Sequence, residues 1–115
     1  METQELSRSY WVDFLEALNE KLDNNDVLIV THDNNQAEST GLESANLLSV
    51  DYDTENDEIS ILFFGKDFAV KGVTSLEAEL DCEELSGLEI NGKEGCRCVI
   101  RFNNPVHLPR AALAA

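Results

Sequence analysis

Basic residues are scarce in this chain. Eight lysines and arginines stand against 23 aspartates and glutamates, a formal net charge of −15 over 115 residues. Gripping a phosphate backbone needs a basic footprint, so direct binding of nucleic acid is not expected, and neither is docking on an anionic membrane surface. No run of about 18 apolar residues occurs, which leaves no transmembrane helix to expect. Met1-Glu2-Thr3-Gln4-Glu5 is acidic and carries no apolar stretch of the secretory kind, so a cytoplasmic protein is expected. The six glycines are scattered through turns, and no glycine-rich phosphate loop is formed. Cysteine is limited to three, an odd number. Cys96 and Cys98 are two apart on an expected strand, roughly 6.6 Å between Cα atoms, a poor geometry for bridging each other. Cys82 sits among Asp81, Glu83 and Glu84, whose charges disfavour a thiolate. All three are expected to be reduced, with Cys96 and Cys98 packed as small hydrophobes.

What is present is enough apolar material, 43% of residues, for one core and one domain spanning 1–115, with an ordered part over about 6–104 and a tail from 105. The strongest pattern is Leu47 to Phe64. Leu48, Val50 and Tyr52 alternate with polar residues, and Ile59, Ile61 and Phe63 do the same after the turn residues Thr54-Glu55-Asn56-Asp57. Folding there sets Tyr52 opposite Ile59, Val50 opposite Ile61 and Leu48 opposite Phe63. Leu62 and Phe64 are apolar too, so the second strand is expected to be buried on both faces.

Before this hairpin, Trp11, Phe14, Leu15, Leu18 and Leu22 recur at spacings of three and four and predict a helix over Ser7 to Leu22, capped by Ser7 or Ser9. Val27 to Val30 predicts a strand buried on both faces. Asn34 to Asn46 is expected to be a loop, with a short edge strand around Ala37 to Leu42. After the hairpin, Phe68 to Leu80 keeps one parity across Gly72 and predicts a long, kinked strand. Its other parity carries Glu77, Glu79, Asp81 and Glu83, a carboxylate row on the wet face. A last hairpin turns at Asn91-Gly92-Lys93-Glu94-Gly95, with Leu88 opposite Cys98 and Ile90 opposite Cys96. Arg97 and Arg101 face outward, where they would pair with the carboxylate row if it lies near. Asn103-Asn104-Pro105 ends the sheet. The fold class expected is α+β: one N-terminal amphipathic helix packed on a five- to six-stranded, mainly antiparallel sheet.

Trp11-x-x-Phe14-Leu15, the strand Val27-Leu28-Ile29-Val30-Thr31, Gly41-Leu42-Glu43, Asp57-Glu58-Ile59-Ser60-Ile61 and the terminal Ile100-Arg101-Phe102 together resemble DUF5335, a bacterial family of small single-domain proteins of unknown function. The likeness covers residues 6 to 102 and rests mainly on core positions. It implies the α+β fold and no activity, so it transfers no site residue. This chain is more acidic than the family's pattern, and its cysteines stand outside it.

Four constellations invite chemistry. Asp51-x-Asp53-x-Glu55-Asn56-Asp57 resembles an acidic calcium loop, but the positions that need Gly and a bidentate Glu hold Asn56 and Leu62, so it reads as a solvated hairpin tip. Cys96-x-Cys98 with Cys82 and His32 or His107 falls short of the paired knuckles of a zinc site. His32-Asp33 has no nucleophilic serine beside it. Glu77, Glu79, Asp81 and Glu83 could supply paired carboxylates, yet without a cleft they read as a solvated or partner-docking face. No catalytic residue, metal or cofactor is expected. The expected function is non-catalytic: a protein-binding or accessory module that meets a protein partner through its acidic sheet face or through the Asn34 to Asn46 loop, or a second copy through an unpaired edge strand. The alternatives are an acidic decoy on a basic DNA-binding or nuclease surface, and a small hydrolase or metal protein built on His32 and the cysteines.

Overall fold

Two strands consecutive in the chain and far apart in the sheet dictate the shape of this molecule. In the computed structural model, which describes residues 2–22, 25–32 and 43–108, the elements are β1 (Glu2–Glu5), a 3₁₀ turn (Arg8–Tyr10), α1 (Trp11–Lys21), β2 (Asn25–His32), β3 (Glu43–Asp53), β4 (Glu58–Phe63), β5 (Lys66–Lys71), β6 (Ser75–Asp81), β7 (Glu84–Asn91), a second 3₁₀ turn (Lys93–Gly95) and β8 (Arg97–His107). The strands form one sheet in the order β1-β6-β7-β8-β2-β3-β4-β5, antiparallel throughout. β5 is thus the edge, and β6, which follows it after Gly72-Val73-Thr74, is second from the opposite edge. In a flat sheet six strand spacings would hold them roughly 29 Å apart. The four Cα steps from Lys71 to Ser75 span at most about 15 Å. The sheet therefore rolls up until β5 meets the β7–β8 turn.

That seam is closed by backbone contacts outside any strand ladder. The Gly72 N–H donates to the Asp57 carbonyl at 2.8 Å, and the Thr74 N–H to the Asn91 carbonyl at 2.7 Å. Gly92 comes so close to β5 that a Cβ there would stand 2.6 Å from the Lys71 carbonyl oxygen and 2.6 Å from Val70 Cγ1.

The rolled sheet buries Val27, Ile29, Leu47, Val50, Ile59, Ile61, Leu76, Leu85, Leu88, Ile90, Cys98 and Ile100 on its inner face, and Trp11, Phe14, Leu15 and Leu18 of α1 pack into the same core. The helix stripe is thus as the spacing implies, with Leu22 half-buried at its end. The α+β class stands, with one α-helix and a large antiparallel sheet among the described residues, but the sheet has eight strands there rather than five or six. No helix among the described residues is long and apolar enough to cross a membrane.

Several expectations change. The helical segment begins as a 3₁₀ turn, and neither Ser7 nor Ser9 caps it with its side chain; the two hydroxyls contact each other at 3.3 Å. In the central hairpin Tyr52–Ile59 and Val50–Ile61 pair as expected, but a bulge between Leu47 and Ser49 makes Leu47, not Leu48, the partner of Phe63. The extra residue rotates Leu48 away from the core. β4 lies between β3 and β5, yet among the described residues nothing covers its outer face: Leu62 is 45% exposed, and Phe64, just past the strand's end, 78%. Val27 and Ile29 of β2 are buried while Leu28 and Val30 are half-buried, so that strand too has one core face.

The long strand from Phe68 to Leu80 is two strands, because Gly72 takes a φ of +59° and turns the chain across the seam. In the last hairpin Ile90 pairs with Cys98 and Leu88 with Ile100. The register moves by two because the Lys93–Gly95 turn absorbs residues and Cys96 closes it, its N–H donating to the Lys93 carbonyl at 3.1 Å. The sheet does not end at Pro105. β8 makes a wide bulge between Arg101, opposite Gly87, and Val106, opposite Leu85. Pro105 falls in that bulge, where no ladder N–H is required. Val106 and Leu108 are buried, so the ordered part runs beyond 104. Glu43 to Asn46 belong to β3 rather than a loop. The edge strand expected at Ala37 to Leu42, and the tail from Pro109, lie outside the described residues.

Candidate functional site

The carboxylate row takes its place from β6. Glu77 and Glu79 point to the outer face and are half-buried, and Asp81 closes the strand, exposed, opposite Glu84. Glu83 does not continue the row. It lies in the Cys82–Glu83 turn, where Cys82 adopts a φ of +58°, and its carboxylate stands 3.5 Å from His107 Nε2. His107 Nδ1 is 3.2 Å from Glu84 Oε1.

The neighbouring strands extend the row in a direction that one strand's pattern does not show. Glu5 of β1 is opposite Glu77, and Glu77 is opposite Glu89 of β7. Three carboxylates therefore lie side by side across three adjacent strands, an arrangement that costs stability. The Asn91 side-chain amide bridges part of the line, 3.1 Å from Glu89 Oε2, 3.4 Å from Glu77 Oε2 and 3.1 Å from Ser75 Oγ. One register step away, Glu79, Gly87 and Arg101 are aligned. Gly87 has no side chain to intervene, and Arg101 reaches Glu79 at 3.6 Å. Arg101 thus does face the row, as expected. At a mainly exposed site such a pair contributes little.

A second constellation, not anticipated from the sequence, gathers at the seam. Arg8 in the first 3₁₀ turn donates through Nη1 to the Tyr52 hydroxyl at 3.0 Å and to Asp57 Oδ1 at 2.8 Å, and through Nη2 to the Val73 carbonyl at 2.6 Å. Its guanidinium lies 4.3 Å from the centre of the Trp11 ring. Trp11 meets Tyr52 edge-on at 5.1 Å and donates its indole N–H to the Leu6 carbonyl at 2.9 Å. The Tyr52 hydroxyl donates to Asp57 Oδ1 at 2.7 Å. That bond, ahead of those from Arg8, holds the Asp57 carboxyl below the usual carboxylate range. Partial burial, then the same bond, raises the Tyr52 phenol. Arg8 stands three residues before the only tryptophan in the sequence, a spacing that by itself does not point to Tyr52, Asp57 or Val73.

Beside this cluster the rolled sheet leaves an open cavity of about 460 Å³, lined by Asn56, Asp57, Ala69, Lys71, Gly72, Lys93, Glu94 and Cys96. The size falls in the range of small-molecule sites.

The model of one protein family, described as a family of unknown function, DUF5335, matches residues 2–111. The chain belongs to that family. No curated protein and no solved structure matches it.

In this DUF5335 chain the other chemical candidates are kept apart. Cys82 precedes β7 and Cys96 follows it, so the strand's whole length separates them. Cys98 is fully buried, and burial, with Cys96 nearby, pushes its thiol up to about 12. His32 ends β2 opposite Arg97, and Asp33 lies outside the described residues. At the hairpin tip, Asp53 accepts from the Glu55 and Asn56 backbone N–H groups and from the Asn56 amide at 2.7 Å, bonds that lower its pKa, the amide first. Its oxygens thus build the turn. Among the described residues, no group of three or more His, Cys, Asp or Glu side chains is placed to share a metal ion.

Proposed function

We propose that this protein is a cytoplasmic, non-catalytic binding module whose outer β1–β6–β7 face docks on a basic protein surface. The observation that carries the proposal is the line Glu5–Glu77–Glu89, in which like charges are held directly opposite one another across strands. Exposed cross-strand pairs of one sign cost about 0.2–1 kcal/mol each, and such a cost is repaid when a cationic surface covers them. A DNA-binding or nuclease surface has the right charge, which makes an acidic decoy the narrower form of the same reading. Dispersal of the cysteines and histidines favours binding over catalysis.

The test is isothermal titration with an arginine-rich model peptide at low and at physiological salt. Glu77→Gln/Glu89→Gln is expected to bind several-fold more weakly and to unfold at higher denaturant than the wild type. The control, Glu16→Gln/Glu20→Gln on the exposed helix face, removes the same charge and should bind almost as well as the wild type. Equal losses from both variants would reduce the effect to net charge and defeat the proposal.

A further inference from the structure

Few cations are available to this chain, and where it leaves them is informative. Of eight basic residues among 115, Lys71 and Lys93 line the same cavity, on opposite sides of the seam: Lys71 ends β5 and Lys93 opens the turn between β7 and β8. Among the described residues neither ammonium has a hydrogen bond or a close ion pair, although acids outnumber bases almost three to one; Lys93 is near enough to Asp57 to help lower its carboxyl, after the bonds from Tyr52 and Arg8. The stem of Lys93 rests on Gly72, where an added Cβ would stand 2.5–2.9 Å from its Cγ, Cδ and Cε. That contact directs the side chain along the cavity wall.

The same cavity carries two carboxylates, Asp57 and Glu94. Asp57 uses Oδ1 for both Arg8 and Tyr52, which fixes the orientation of the group. Both residues hold left-handed backbone angles, φ of 51° and 58°, and such conformations concentrate where a chain presents groups to a ligand. Asn56 adds an amide, while Ala69 and Cys96 add an apolar patch.

Two cations and two anions facing one opening do not suit a simple anion. Asp57 and Glu94 would repel it locally, and the net charge of the chain would repel it at a distance. A simple cation meets the two lysines. We infer that the seam cavity binds a small amphoteric molecule of about dipeptide size, its carboxylate held by Lys71 and Lys93 and its ammonium by Asp57 and Glu94. The site is independent of the acidic outer face and needs no partner protein.

The experiment is titration of the isotopically labelled protein with free dipeptides at millimolar concentration, followed by amide chemical shifts. N-acetylated and C-amidated forms of the same dipeptides serve as separate arms, because each lacks one of the two charges. The expected result is saturable binding with shifts at Asn56, Asp57, Gly72 and Lys93 to Cys96. Each blocked form should be weaker by about tenfold or more, the scale of one charge-assisted hydrogen bond. Lys71→Met/Lys93→Met should abolish the shifts while leaving the circular dichroism spectrum and melting temperature near those of the wild type. Absence of saturable shifts, shifts mapping elsewhere, an acetylated dipeptide that binds as well as the free one, or a double variant that still binds would each overturn the inference.

Discussion

Replacing Asn19 with alanine tests how the helix is joined to the sheet. β2 pairs with β3 only over Glu43 to Leu47. Beyond that point the side of β3 away from β4 has no strand beside it among the described residues. Asn19 of α1 fills the gap as a piece of backbone would: its Oδ1 accepts the Val50 N–H at 2.9 Å, its Nδ2 donates to the Val50 carbonyl at 3.0 Å, and Nδ2 also reaches Asp51 Oδ1 at 3.0 Å. Alanine deletes both bonds to Val50 in a part-buried setting, each costing about 1–1.5 kcal/mol. The better helix propensity of alanine returns about 0.6 kcal/mol. The expected net loss is about 2 kcal/mol in urea unfolding, or a melting temperature lower by roughly 10 °C at about 5 °C per kcal/mol. Hydrogen exchange gives the local readout, since the Val50 amide should exchange faster than its neighbours. Asn19→Asp keeps the acceptor, loses the donor and sets a second charge beside Asp51. Its carboxyl would titrate above the usual range in the folded state, so its deficit should be greatest at neutral pH and shrink as the pH falls and the carboxyl becomes a donor again. If Asn19→Ala melts with the wild type and the Asp variant shows no recovery in acid, the helix is held by its apolar face alone.

Trp11→Ala removes a fully buried ring, its edge contact with Tyr52 and its bond to Leu6, and should destabilise by about 3–5 kcal/mol in denaturant titration. Gly92→Ala puts a methyl group against the Lys71 carbonyl and Val70, and a loss of about 1–3 kcal/mol is expected by the same assay; a wild-type midpoint would mean the seam is loose. With a thiol-reactive dye at pH 8, exposed Cys82 should label in the native protein and Cys98 only on unfolding; equal rates for the two would contradict the burial of β8. The Asp57 carboxyl is depressed by folding, so its contribution is present above the unfolded carboxylate range and fades as the pH falls through the lower folded value. Because the Arg8–Asp57 pair is 51% and 40% exposed, that contribution is at most about 1 kcal/mol, and Asp57→Asn should flatten the acid limb of the stability profile by no more than this.

Much of the fold was legible because period-two and helical spacing report which side chains avoid water. Trp11, Phe14, Val50 and Ile61 fell where their spacing put them. The register errors share one physical cause. Single-strand patterns carry no record of residues inserted between pairings, so the bulges at Leu48 and at Phe102 to Pro105, and the turn at Lys93 to Gly95, moved the registers. Gly72 was recognised as an interruption, but whether it kinks a strand or sends the chain to the far side of a rolled sheet depends on β8 and β2 lying between. The outer acidic line was half visible. Glu77 and Glu79 follow from alternation, whereas Glu5 and Glu89 join them only through pairing across strands. The seam cluster around Arg8 was not legible at all, since its members come from four separate segments.

The position of β8 has a consequence for how the molecule comes into being. This strand, the last of the eight among the described residues, is inserted between β7 and β2, so β2 is joined to β7 only after residues near 107 are available, whereas β1 pairs with β6 without it. During synthesis the β2–β3–β4–β5 meander is the stretch of sheet that can assemble from neighbouring strands before the β6–β7 hairpin emerges, and its Leu62 and Phe64 are then already in water. Loop closure over such separations is slow compared with hairpin formation. A net charge of −15 makes copies of the waiting chain repel one another until the final strand enters the middle.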